Sequence, residues 1–168
     1  MKRFIIVMCI SLSSLSLTGC NDLLQQITNF ITPADNSEDA IQRKKIQSDL
    51  KIFDSIRSDQ NSAFYDLEET LKKATSKETS TAAIRAELVS FANKLHTQND
   101  RFKVTHIQTP EVAKLRNVVM QLNYETIIII QTVDNPAAVN NRLRGYLNTQ
   151  NKLLNEYNKL RTEIEASL

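Results

Sequence analysis

From about residue 38 onward, apolar residues recur at steps of three and four. That spacing stacks side chains along one face of an α-helix. The first long run, 38–74, carries Ile46, Leu50, Phe53, Arg57, Gln60, Phe64, Leu67, Leu71 and Ala74 on its seam. The second, 81–104, carries Ile84, Leu88, Phe91, Leu95, Gln98 and Phe102. The third, 110–133, carries Val112, Leu115, Val119, Leu122, Thr126, Ile129 and Val133. The fourth runs from Pro136 to near the end with Val139, Leu143, Tyr146, Gln150, Leu153, Tyr157, Leu160 and Ile164. Neighbours such as Ile56, Val89, Val118, Leu147 and Leu154 widen each seam to the face of a bundle helix.

The marks between these runs are helix starts and turns. Ser37-Glu38-Asp39, Thr109-Pro110-Glu111 and Asn135-Pro136 each supply a small polar cap, followed by an acid or a proline in the first turn. The Ser/Thr-rich segment 76–81 reads as a turn with a fourth start. The pattern predicts an all-α fold, an antiparallel up-down four-helix bundle over 38–168, because short connections make successive helices antiparallel neighbours. The internal breaks argue against a continuous dimeric coiled coil.

One stretch conflicts with its own propensity. Thr126-Ile127-Ile128-Ile129-Ile130-Gln131-Thr132-Val133 is β-branched and favours strand. No partner strand is in view, so the helical period decides. Four consecutive Ile then face every direction. Ile127, Ile128 and Ile130 form a candidate partner surface; the alternative is burial in the core or beneath the apolar segment 23–31.

Polar residues also interrupt the seams. Gln60, Gln98 and Gln150 fall where their neighbours are apolar. Folded antiparallel, they come to one level as a candidate polar core layer, each amide with two donors and an acceptor. Such layers fix helix register; a ligand cavity between helices is the alternative. Arg57, one turn from Gln60, must extend to solvent or find a carboxylate.

Composition removes other folds. Gly 2, Pro 3 and Trp 0 leave too few turn signals for a β-sandwich or barrel and no Gly-rich phosphate loop. His96 and His106 have Asn93 and Lys103, not Glu, three residues before them. That excludes the Glu-x-x-His pattern of di-iron bundles, and their separation excludes a helical zinc pair. No catalytic, metal or cofactor residue is assigned, and the chain is expected not to be an enzyme.

The N-terminus reads as an address. Lys2 and Arg3 precede an apolar run, Phe4 to Ile10, and a Ser/Leu alternation to Leu17. The run closes on Leu17-Thr18-Gly19-Cys20, which resembles the lipobox of bacterial lipoproteins. The resemblance implies cleavage between Gly19 and Cys20 and acylation of Cys20. Asn21, where Asp would retain a lipoprotein at the inner membrane, implies the outer membrane. The expected organisation is a signal peptide at 1–19, a lipidated tether at 20–37 and the bundle at 38–168. The tether carries a short amphipathic helix on Leu23, Leu24, Ile27, Phe30 and Ile31.

Cleavage changes the charge. The full chain has Lys+Arg 21 against Asp+Glu 19, but losing Lys2 and Arg3 brings the mature chain to neutrality. Arg43-Lys44-Lys45 is its only basic cluster, too short by itself to argue for nucleic acid or anionic lipid. The expected function is a non-catalytic envelope lipoprotein that faces the periplasm and binds another envelope protein. The alternative is a periplasmic chaperone or inhibitor working through an inter-helix groove.

Overall fold

The computed structural model describes residues 37–75, 80–132 and 136–168, with side chains outside 59–68, 70–75, 132 and 136–144. Four helices follow one another: α1 (Glu38–Thr75), α2 (Thr81–Val104), α3 (Pro110–Thr132) and α4 (Pro136–Ala166), with no strand among the described residues. The expected leader, lipobox and amphipathic segment 23–31 lie outside the described residues, as does the side chain of Gln60.

The helix ends obey local chemistry. Ser80 Oγ accepts the Ala83 amide at 3.2 Å, and Ser37 Oγ accepts the Ala40 amide at 3.2 Å. Each satisfies a donor that the first turn leaves unpaired. At the end of α2, Thr105 turns extended, and its amide and hydroxyl both donate to the Arg101 carbonyl at 3.0 and 2.7 Å.

The seams form the core. α3 packs most broadly on α4, α1 on α2 and α2 on α3, with a thinner contact between α1 and α3. Phe53, Phe91, Leu95, Phe102, Val112 and Leu115 are essentially solvent-free. The rings of Phe53 and Phe102 stand 5.4 Å apart, tilted by 31°, and join α1 to α2. The β-branched run is helical through Thr132, with Ile127, Ile129 and Ile130 all in the core. Burial against neighbouring helices outweighs strand propensity there. Gly145 faces open space in α4: a Cβ would meet nothing within 4 Å.

Thr109 departs from the expected cap. Its carbonyl accepts the Ala113 amide at 3.0 Å, as a capping residue's should, but its hydroxyl donates to Asp49 Oδ2 at 2.7 Å. Asp49 sits on α1 with 0 % of its surface exposed. The same Oδ2 accepts the amides of Gln108 at 2.9 Å and Thr109 at 2.7 Å. One oxygen on α1 thus gathers three donors from the α2–α3 connection. The positive end of the α3 dipole adds a favourable field.

Asp49→Ala strands these donors. At about 1–3 kcal/mol for a buried group left unpaired, with water re-entry softening the total, the loss should be roughly 2–4 kcal/mol in urea unfolding. Asp49 Oδ1 is buried without a protein partner. Asp49→Asn therefore keeps an acceptor but has no acceptor for its own amide, and should lose about half as much.

Candidate functional site

Gln98 and Gln150 are both buried, but they bond to different partners rather than to each other. Gln98 Nε2 donates to the Ile56 carbonyl of α1 at 3.1 Å, and its Oε1 accepts from Asn123 Nδ2 of α3 at 2.7 Å. Asn123 Nδ2 also donates to Asn99 Oδ1 at 2.8 Å, and Asn99 Nδ2 donates to the Met120 carbonyl at 3.2 Å. Gln150 Nε2 donates to Thr126 Oγ1 at 3.0 Å, one turn further along α3. The Thr126 hydroxyl in turn donates to the Leu122 carbonyl at 2.9 Å. The amides at Gln98, Asn99 and Asn123 are occupied by one another and by backbone. A network of this kind holds helices at one register and has little capacity left for a ligand.

Asn99 and Asn123 were not singled out from the sequence. Both stand one helical turn after a seam residue, Asn99 after Leu95 and Asn123 after Val119. The signal was the width of the face: a three-in-seven stripe includes positions 99 and 123, whereas a single seam passes over them.

Arg57 finds an aromatic ring rather than a carboxylate. Its Nη1 donates to Tyr157 Oη, and its guanidinium carbon lies 4.8 Å from the ring centroid. The nearby carboxylate, Asp54, is taken by Arg161, whose Nη1 and Nη2 donate to its two oxygens at 2.8 and 3.1 Å. Arg161 Nε also donates to Glu165 at 2.6 Å. Burial works against the Arg161 charge, but the bonds and field of Asp54, then Glu165, hold its guanidinium above the ordinary value. Two cations thus tie the face of α1 at 54–57 to α4.

The expected partner surface at Ile127, Ile128 and Ile130 is largely interior. Ile127 is 3 % exposed and Ile130 6 %, leaving Ile128 alone of the three partly open. α3 packs against α4, α2 and, more thinly, α1, and its exposed line runs through Lys114, Asn117, Gln121 and Tyr124 rather than through Ile127 and Ile130. His96 and His106 are exposed, and no metal-binding cluster of His, Cys, Asp and Glu occurs among the described residues.

Among the described residues, two surface grooves bear on binding. One, of about 550 Å³, lies among α1, α3 and α4. Its floor is Ile46, Leu160 and Ile164, and its rim carries both signs of charge, Arg43 and Lys114 beside Glu111 and Glu163. The other, of about 530 Å³, lies between α1 and α2, with Ile52, Ile56 and Val104 between Lys51 and Arg101.

The polar network predicts a coupled loss. Asn123→Ala leaves Gln98 Oε1 and Asn99 Oδ1 without this donor and should cost about 2–4 kcal/mol in denaturant unfolding. In a double-mutant cycle with Gln98→Leu, the coupling should exceed about 1 kcal/mol. Additive losses would mean that the two amides act separately.

Comparison of the chain with protein-family models, with curated proteins and with solved structures finds no significant match to any of the three.

Proposed function

We propose that the chain is a non-catalytic envelope lipoprotein, held at the periplasmic face of the outer membrane by lipid on Cys20, whose helical module binds another envelope protein. The observation that carries this reading is the run Leu17-Thr18-Gly19-Cys20, directly behind a charged start and a short apolar stretch. Among the described residues no helix is long and apolar enough to cross a membrane. Acyl chains on Cys20 are the attachment this reading requires, and two or three hold stably where one is marginal.

We also infer an up-down, antiparallel order for the helices. Residue pairs support it, because rising numbers on one helix meet falling numbers on the next. Phe53 meets Phe102 while Ile56 meets Gln98. Met120 meets Asn99 while Asn123 meets Gln98. Thr126 meets Gln150, while Lys114 shares a groove with Ile164. Asp54 meets Arg161 while Arg57 meets Tyr157. In this order the head of α1 shares one end of the module with the tail of α4. The 18 residues from Cys20 to Ser37 could span at most roughly 60 Å, so that end stays near the bilayer.

The groove among α1, α3 and α4 is the docking place this reading favours. An apolar floor under a rim of both signs suits a segment of another protein. The test is in-cell photo-crosslinking from Gln42, which lines that groove, with the mass of the mature chain read from the same preparation. The expected result is a chain beginning at an acylated Cys20 and one discrete adduct. Many adducts of unrelated size would favour the chaperone alternative. An unmodified Cys20 would end the lipoprotein reading.

A further inference from the structure

The outer flank of α1 combines cations with apolar side chains in a way that core packing does not require. Ile41, Lys45, Ser48 and Ile52 follow one another at steps of four, three and four, so they share one helical face about 16 Å long. Lys44 and Lys51 stand on the adjoining line, and all of these positions are exposed. The α1–α2 groove continues this face, bringing Val104, 84 % exposed, beside Ile52.

Acids near this face are engaged elsewhere or lie at its edge. Asp49 is buried on the α2–α3 connection and Asp54 is held by Arg161. Asp100 meets Lys103 at 2.9 Å. Glu38 stands at the first turn of the helix. Lys44 and Lys45 of the short basic cluster thus join Lys51 on a larger cationic face that also carries exposed Ile and Val, while Arg43 rims the groove among α1, α3 and α4.

We propose that this face lies on the anionic phospholipid surface of the membrane that anchors the chain, with Lys44, Lys45 and Lys51 at headgroup phosphates and Ile41, Ile52 and Val104 entering the interface. The proposal rests on the anchoring reading, which supplies the nearby bilayer. Three features favour lipid over a protein partner. Lysine is depleted at protein interfaces, which favour contiguous aromatic and apolar cores, whereas here single apolar residues alternate with lysines. Lysine stems let the charge reach phosphates while apolar atoms stay against the bilayer. The segment 21–32 contains no Lys or Arg, so the first cations behind the anchor are those of α1. Each lysine near such a surface strengthens attachment about fivefold. The tether keeps the local concentration high enough for a weak contact to count.

The mature chain has no cysteine other than Cys20, so an introduced thiol is unique. Mature, acylated protein carrying Ser48→Cys, or Asn155→Cys as a control at an exposed position of α4, would be labelled with a fluorophore. It would then be reconstituted in vesicles of phosphatidylcholine with or without phosphatidylglycerol. Access of a water-soluble quencher is the readout. The expected result is shielding at position 48 only with phosphatidylglycerol, and open access at 155 on both vesicles. Lys44→Ser together with Lys45→Ser should shift the docked fraction about thirtyfold towards open. Equal access at position 48 on both vesicles would overturn the proposal, as would shielding found only in native envelopes, which would assign the face to a protein. The mass of the chain reports acylation separately. If Cys20 proves unmodified, the same quenching contrast with added vesicles, run on a chain whose Cys9 and Cys20 are both replaced by Ser, still supports or overturns the face.

Discussion

A single buried carboxylate organises this fold. Asp49 lies on α1, wholly out of water, and one of its oxygens takes both amides and the hydroxyl offered by Gln108 and Thr109. Burying a charge is expensive unless donors replace water. Here the donors come from a chain reversal whose own amides would otherwise go unpaired. Helix α3 therefore starts at a place defined by α1, and its seam arrives in step with the rest of the core.

Deeper along the same helices, polar contacts repeat that logic without charge. The amides of Gln98, Asn99 and Asn123 bond each other and the backbone of α1 and α3. Hydrophobic seams alone tolerate sliding by a turn, because one Leu or Ile contact resembles the next. A buried amide tolerates no such slip, since a shifted register leaves it unpaired. Arg161 on Asp54 and Arg57 on Tyr157 join α4 to α1 by the same kind of directional contact. The apolar core supplies cohesion, and these few polar contacts select one arrangement of it.

Much of this was legible in the sequence. The helix spans 81–104 and the starts at Glu38, Pro110 and Pro136 follow from period and capping residues, and the structure places them there. The seam residues Phe53, Phe102 and Leu115 are core as the spacing requires. Partners across helices were not legible. Asp49 has the spacing of a flank residue, where acids normally meet solvent, and nothing local marks it as buried. Thr109 looked like an ordinary cap because sequence does not show which way a hydroxyl turns. Ile127 and Ile130 looked available because the number of neighbours around α3 is a tertiary property. The lysines of α1 formed too short a cluster until Ile52 and Val104 were seen beside them.

A fold governed by one buried anchor makes a sharp statement about local stability. Loop amides ordinarily exchange their hydrogens quickly, because short openings expose them. The amides of Gln108 and Thr109 should instead exchange as slowly as those of the α1 and α3 core turns, opening only when α1 separates from the α2–α3 connection. Residue-resolved hydrogen exchange on the folded chain measures this directly. Protection at both residues matching the core is the predicted result. Exchange at the rate of an open loop would contradict the role given to Asp49.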